Sequence, residues 1–288
     1  MAYLIAEQGE STPDAHQAVI EITADAQNPN YWRDVWQHRE LFQLLVWRDL
    51  VVRYKQTLIG FSWSVIRPLT MMIVFTIVFG GFAQLPSNDS PYALLVFTGL
   101  LPWMFFATTF AEAGNSVIAN APIVSKVYFP KIILPISCIF VGVVDFIISF
   151  FIYFLLALYF KHPPGINVLF LPVCIILLCL FVMACGTWIA ALNVRYRDFR
   201  YLLPVVLQLG AYMSPVGYAS SVVPGKWGMV FALNPMVGII DGFRWSLLDT
   251  TTPFPTFSFS VAVVFTIICL IPGVRFFMKS ESRFCDDL

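Results

Sequence analysis

Along this chain the polar positions are gathered between long runs that hold no Lys, Arg, Asp or Glu. Such runs lie between Arg67 and Asp89 (21 residues), Asp89 and Glu112 (22), His162 and Arg195 (32), Arg200 and Lys226 (25), and Asp249 and Arg275 (25). A further 29 residues between Lys131 and Lys161 carry one charge, Asp145. A helix needs about 20 apolar residues to cross the hydrocarbon of a bilayer. The pattern therefore predicts six spans, at roughly 66–83, 92–112, 132–160, 168–194, 201–219 and 256–277. Lipid cannot satisfy backbone N–H and C=O groups, so the spans are expected to be helical. The class predicted is an all-α polytopic membrane protein.

Composition supports this. The 288 residues are 59% hydrophobic and only 12% charged, against about 45–50% and 25% in an ordinary soluble domain. With 17 basic and 17 acidic residues, nothing favours nucleic acid as a partner. The position of the charges says more than their balance. If six spans alternate sides, one side holds Arg33, Arg39, Arg48, Arg53, Lys55, Arg67, Lys126, Lys131, Arg195, Arg197, Arg200, Arg275, Lys279 and Arg283. The other side holds only Lys161, Lys226 and Arg244. Basic residues stay in the cytoplasm, so both termini are expected there, in a bacterial inner membrane.

Three regions lie outside the spans. Residues 1–30 carry five acids and no Lys or Arg, and read as a loose acidic tail rather than a signal peptide. Residues 31–64 mix aromatics with cations and read as an amphipathic helix lying in the cytoplasmic interface, ahead of a six-span domain over 65–288. On a helical wheel Trp36, Leu41, Leu44, Leu45, Trp47, Val51, Val52 and Tyr54 share one half, and His38, Arg39, Gln43, Asp49 and Arg53 the other. Phe42, Val46 and Leu50 stray onto the polar half and are expected to pack on protein. A soluble amphipathic helix is the alternative. Within 220–248, the apolar pieces Met229–Leu233 and Met236–Ile240 are too short to cross and are broken by Pro224, Gly225, Asn234 and Pro235. They predict two short re-entrant helices dipping in from the outer face. The six cysteines form no CxxC pair and read as small buried apolar residues, with no metal site.

The run Arg48-Asp49-Leu50-Val51-Val52-Arg53-Tyr54-Lys55-Gln56-Thr57-Leu58-Ile59-Gly60, followed by Trp63 and Pro68-Leu69, resembles the signature of ABC-2 type permeases. It is most similar to those that export O-antigen, teichoic acid or capsule. Gly99-Leu100-Leu101-Pro102-Trp103, Lys126-Val127-Tyr128-Phe129-Pro130, Asn193-Val194-Arg195-Tyr196-Arg197-Asp198, Ser214-Pro215-Val216, Asn234-Pro235 and the stretch from Phe276 to Asp286 follow in order. The resemblance covers about residues 31–288. Ile59 departs from the more usual Leu, and the tail before residue 30 lies outside the pattern. The resemblance implies a half-transporter: a second copy of the chain pairs with it, and two ATPase subunits bind below. No GxxxxGK[ST] loop occurs here, so ATP and Mg are expected on the partner ATPase and no cofactor on this chain.

The candidate working parts follow from charge and depth. Arg48, Arg53, Lys55 and Arg67 sit near headgroup level. Exporters of the kind the chain resembles move glycans carried on a lipid pyrophosphate, and these cations would suit that anion, since charge-assisted bonds to phosphate are strong; anchoring to anionic membrane lipids is the alternative. The resemblance places ATPase contact in the loops at 116–130 and 195–201. Lys126, Tyr128, Lys131, Arg195, Arg197, Asp198 and Arg200 are candidates there, with plain topogenic charge as the alternative. Asp145, alone deep in a span, must face protein or water and have a partner. It is a candidate for lining a conduit, pinning helices together or relaying protons. Trp103, Phe105 and Phe106 offer flat apolar faces for sliding sugars, or are core and lipid-facing residues.

The function expected is the permease of an ATP-driven exporter of lipid-linked polysaccharide. An exporter of drugs or lipids keeps the fold and changes the cargo. A membrane-embedded glycan transferase is the third reading. It would want convergent acid–base groups, whereas His16, His38 and His162 are scattered and no HExxH or GxSxG occurs.

Overall fold

The structure is a computed structural model, and it describes residues 30–55, 62–87, 90–196, 198–248 and 253–284. The tail through residue 29, the run from Gln56 to Gly60, Arg197 and Cys285 lie outside the described residues. All regular structure among the described residues is helical. Helices α1 (Tyr31–Gln37) and α2 (Arg39–Lys55) are followed by α3 (Ser62–Phe75), which continues as a π-helical run, Thr76–Phe82. Then come α4 (Tyr92–Ala119), α5 (Ala121–Val124), α6 (Ile133–Tyr159) and α7 (Leu171–Arg195), the last led in by a 3₁₀ turn at Ile166–Phe170. Helices α8 (Phe199–Tyr212), α9 (Gly225–Ala232), α10 (Pro235–Leu247) and α11 (Thr256–Ser280) complete the chain, with a closing 3₁₀ turn at Glu281–Arg283.

Five helices among the described residues are long and apolar enough to cross a membrane: Ser62–Phe82, Tyr92–Ala119, Ile133–Tyr159, Ile166–Arg195 and Thr256–Arg283. They coincide with five of the six predicted spans, and the chain is a multi-pass membrane protein. The remaining prediction, 201–219, differs. Helix α8 has 14 residues, about 21 Å at roughly 1.5 Å per residue, and stops at Tyr212. Pro215 lacks a donor and biases Ser214 away from helix, which disfavours another turn there. Chain direction is nevertheless clear. Leu203 lies beside Gly114 and Gly210 beside Trp103, and the Tyr92 hydroxyl donates to the Gly217 carbonyl at 2.7 Å. Residues 203–217 thus run antiparallel to α4 over most of its length.

Helix α4 is the centre of the bundle and packs on α3, α6, α7, α8 and α10. Lipid tails are as apolar as Leu, so association rests on close packing and interhelical hydrogen bonds. Gly142 lets α6 come so near α4 that a Cβ would lie 2.2 Å from Thr109 Oγ1. The Asn193 side chain of α7 donates to the Gly114 carbonyl of α4 at 2.7 Å. Aromatic rings fill the interior: Phe106 stacks on Phe110 and Phe181, and Phe105 meets Phe146 edge-on.

The bundle has two ends. At the basic end a second apolar cluster joins Leu45, Val124, Phe129, Ile132, Phe277 and Phe284. The first two helices, the α5 loop, the start of α6 and the end of α11 therefore meet there. At the opposite end Tyr153 donates to the Leu247 carbonyl at 2.6 Å. Two short helices do occupy 220–248. Helix α10 is capped by Asn234, whose side chain accepts from the Met236 N–H at 3.0 Å, with Pro235 at its first position. It is buried along most of its length, whereas α9 has no buried residue.

The amphipathic region forms two helices, breaking at His38. Its apolar half divides. Leu45 is fully buried, while Trp36, Leu44, Trp47 and Val52 stay exposed. Phe42, a stray on the wheel, packs edge-on against Phe140 with centroids 5.0 Å apart.

Candidate functional site

At the basic end, four helices converge around one half-buried acid, Asp145. On α6, Gly142, Asp145, Phe146 and Ser149 share a face, and on α4 Leu101, Phe105, Thr108 and Glu112 do so. These two faces, with Arg53 of α2 and Trp63, Ser64 and Arg67 of α3, line a cleft of about 280 Å³.

Asp145 is fully engaged. One carboxylate oxygen takes the Arg53 guanidinium, and the other takes the Tyr54 hydroxyl and, at 3.2 Å, the Ser64 hydroxyl. The second arm of Arg53 pairs with Glu112. One guanidinium thus bridges carboxylates of two different spans and ties α2 to both. Burial alone would depress the Arg53 guanidinium, but the Glu112 and Asp145 carboxylates outweigh it and hold it above its ordinary value. Burial, together with the bond to Asp145, pushes the Tyr54 hydroxyl up to about 12. Tyr54 therefore stays a donor at neutral pH.

Arg67, on the other wall, is exposed and has no ion-pair or hydrogen-bond partner among the described residues. It is the cation of this cleft that remains available to an anion. The other two members of the predicted basic cluster lie elsewhere. Arg48 pairs with Asp49 and donates to Asn120 at 2.8 Å, and Lys55 is exposed at the end of α2. The structure brings together Arg53 and Arg67, not all four.

The predicted aromatic trio also separates. Phe105 lines the cleft. Trp103 and Phe106 are each 8% exposed and fill the bundle interior. Of the loop candidates, Lys126 and Tyr128 are exposed at a tip, and so are Arg195, Asp198 and Arg200. The Arg195 guanidinium lies 5.3 Å over the Tyr196 ring. Lys131 is 7% exposed, and its ammonium reaches the Glu281 carbonyl at 3.4 Å.

Two polar groups were missed in the sequence. Glu112 looked like a boundary residue, since nothing in its neighbourhood announces Arg53. Arg244 of α10 is buried. It donates to the Tyr218 carbonyl at 2.8 Å and to the Leu95 and Val216 carbonyls at 3.3 Å each. Asp241 lies 3.8 Å away, one turn back, and accepts from Ser220 at 2.6 Å. The spacing of Asp241 and Arg244 on one helix was visible, but their depth was not.

A bundle of apolar helices with a pair of short helices at one end and the charge-bridged α2 at the other is the architecture of a polytopic membrane protein. The family model described as ABC-2 type transporter matches residues 40–248, and the chain belongs to that family. It is a transport permease of the ABC-2 type. Among curated relatives, the O-antigen export system permease protein RfbA of Myxococcus xanthus is 26% identical over 258 residues, covering 89% of this chain and 98% of the relative. Two proteins of the same name from Klebsiella pneumoniae are each 28% identical, one over 255 residues and one over 254, covering 86% of this chain and 96% of each relative.

Proposed function

We propose that this chain is the membrane half of an ATP-driven exporter that moves a lipid-linked polysaccharide of the O-antigen kind across the bacterial inner membrane. Near-full-length similarity to three permeases named for O-antigen export carries the reading. Two copies of the chain form the conduit, and two separate ATPase subunits supply ATP and Mg chemistry from below.

The basic end faces the cytoplasm in this reading, on the strength of the lopsided Lys and Arg distribution. Six crossings follow. The fifth is made by α8 with the non-helical residues 213–217, whose carbonyls are met by Tyr92 at Gly217, Asn234 at Met213 and Arg244 at Val216. Such internal satisfaction is what broken backbone at membrane depth requires. Helices α9 and α10 then dip in from the outer side, and α1 and α2 lie in the interface with Trp36 of α1 and Leu44 and Trp47 of α2 toward lipid.

The cleft between α3, α4 and α6 receives the diphosphate of the carrier lipid. Arg67 is its first contact, because its guanidinium is uncommitted. Arg53 is already shared between Glu112 and Asp145, and swings over only when one of those acids gives way to the anion. Lys55 and Arg48 add positive potential at the same level. The exposed tip at Lys126 and Tyr128, and Arg195, Asp198 and Arg200, meet the ATPase.

Purification from native membranes tests the whole reading. The preparation should contain an ATPase subunit, and its lipid extract a diphosphate-linked glycan. A chain that purifies without either refutes it.

A further inference from the structure

Three parts of the chain that are far apart in sequence meet on one carboxylate. Glu281 Oε2 accepts from the Tyr31 hydroxyl at 2.6 Å, and Oε1 accepts from the Lys131 backbone N–H at 2.7 Å. The Lys131 ammonium closes the ring on the Glu281 carbonyl at 3.4 Å. Tyr31 opens α1, Lys131 ends the loop that follows α5, and Glu281 follows α11. The junction is shielded from water: Lys131 and Glu281 are 7% and 9% exposed, inside an apolar wall that includes Phe129, Ile132, Phe277 and Phe284.

The geometry has a direction. Residues 125–128 protrude and are exposed, whereas Phe129, Pro130 and Lys131 return to the interior. A push on the tip enters the bundle through those three residues, and Glu281 holds the last of them. The acid lies beside the N-terminal end of α6, where an anion also favours the helix dipole and the unpaired N–H groups. A short apolar contact slides under load. A carboxylate holding two hydrogen bonds in a dry pocket does not, because breaking one strands a buried polar group.

We propose that Glu281 is a positioning residue that makes the 120–131 loop, helices α1 and α2 and the end of α11 move as one body, so that force received at the loop tip reaches the cleft through Arg53. The proposal rests on the reading above that this loop meets the ATPase.

The test uses the complete transporter, permease with its ATPase, reconstituted in liposomes. Spin labels on Val127→Cys and Trp36→Cys report the distance between the loop tip and α1 with and without ATP. In the otherwise native protein the distance distribution should stay narrow and unchanged by ATP. Glu281→Ala should broaden it, make it respond to ATP, and lower glycan exported per ATP by about tenfold, while ATP hydrolysis stays within about twofold; this is the size of one lost charge-assisted hydrogen bond. Glu281→Gln, which keeps an acceptor, should recover most of the coupling. A distribution untouched by Glu281→Ala, or export and hydrolysis that fall in step, overturns the proposal. Should Glu281→Ala fail to assemble, Tyr31→Phe removes one bond and leaves the carboxylate. A broadened distribution then supports the proposal, and an unchanged one overturns it. The label distance does not depend on cargo. A native complex that hydrolyses ATP but moves no glycan refutes the export reading and leaves the clamp to be judged on the labels.

Discussion

Arg244 donates to the carbonyl of Tyr218 at 2.8 Å, joining a buried helix to a stretch of chain with no helix of its own. Its other arm reaches the Leu95 and Val216 carbonyls, so one planar group satisfies acceptors from two segments. Arg244→Ala should destabilise the protein by about 3–5 kcal/mol, the range for removing one partner of a buried charge pair. Arg244→Lys should recover little of this, since an ammonium lacks the flat fork. Thermal unfolding of the detergent-solubilised chain, at matched heating rates, checks both. A lysine variant as stable as the native chain sinks the argument.

The bridge from Arg53 to Asp145 and Glu112 predicts a charge-swap rescue. Arg53→Glu sets three acids together and should leave little folded protein. Arg53→Asp combined with Asp145→Arg should regain part of the loss. The three side chains are 27–39% exposed, so solvent screening reduces the interaction, and a coupling energy of about 1–2 kcal/mol is expected from a double-mutant cycle. Additive single-variant effects would show that the pair contributes nothing.

Arg67 should matter to transport and not to folding. Arg67→Ala removes no ion pair or hydrogen bond among the described residues, so expression and ATPase association should match the native protein. Loss of one charge-assisted phosphate contact, about 1.5–3 kcal/mol, should lower glycolipid export by roughly ten- to a hundredfold. Unimpaired surface polysaccharide in cells carrying this variant contradicts the role given to the cleft.

Close backbone approach gives a contrast between two glycines. A Cβ at Gly99 would lie 2.5 Å from the Val216 carbonyl oxygen, which cannot rotate away, and one at Gly81 meets nothing within 4 Å. Gly99→Ala should therefore cost about 1–3 kcal/mol as overpacking, and Gly81→Ala should be neutral or slightly stabilising. Melting temperatures of the two variants decide it.

Sidedness can be checked by labelling intact cells with a membrane-impermeant maleimide. Tyr128 and Trp227 are both exposed, at opposite ends of the bundle. Trp227→Cys should react from outside and Tyr128→Cys only after lysis. Labelling of both from the same side rules out the alternation of spans described here.

Much of the fold was legible because charge-free length is a one-dimensional signal. Five spans could be read from it, as could the short helices after Tyr218, whose Pro and Asn residues act locally. The short α8 was less legible. Its apolar run is long enough on paper, and charge-free length does not show that the helix stops at Tyr212, three residues before Pro215. The site was half legible. Depth alone said that Asp145 needs a partner, but which cation supplies it depends on α2 leaning across α6, and no local pattern encodes that crossing. Trp103 and Phe106 were legible only as either a sliding surface or core, and tertiary packing draws both into the interior against Gly210, Phe110 and Phe181.

The ion bridge also bears on how the chain is made. Arg53 precedes Asp145 by 92 residues, which at about 5–20 residues per second means a head start of roughly 5–20 s during synthesis. In the proposed arrangement, with α2 in the interface, the guanidinium waits at the bilayer edge before the acid is handed to lipid. A costly anion then need not sit alone in hydrocarbon, because its counter-charge was translated first.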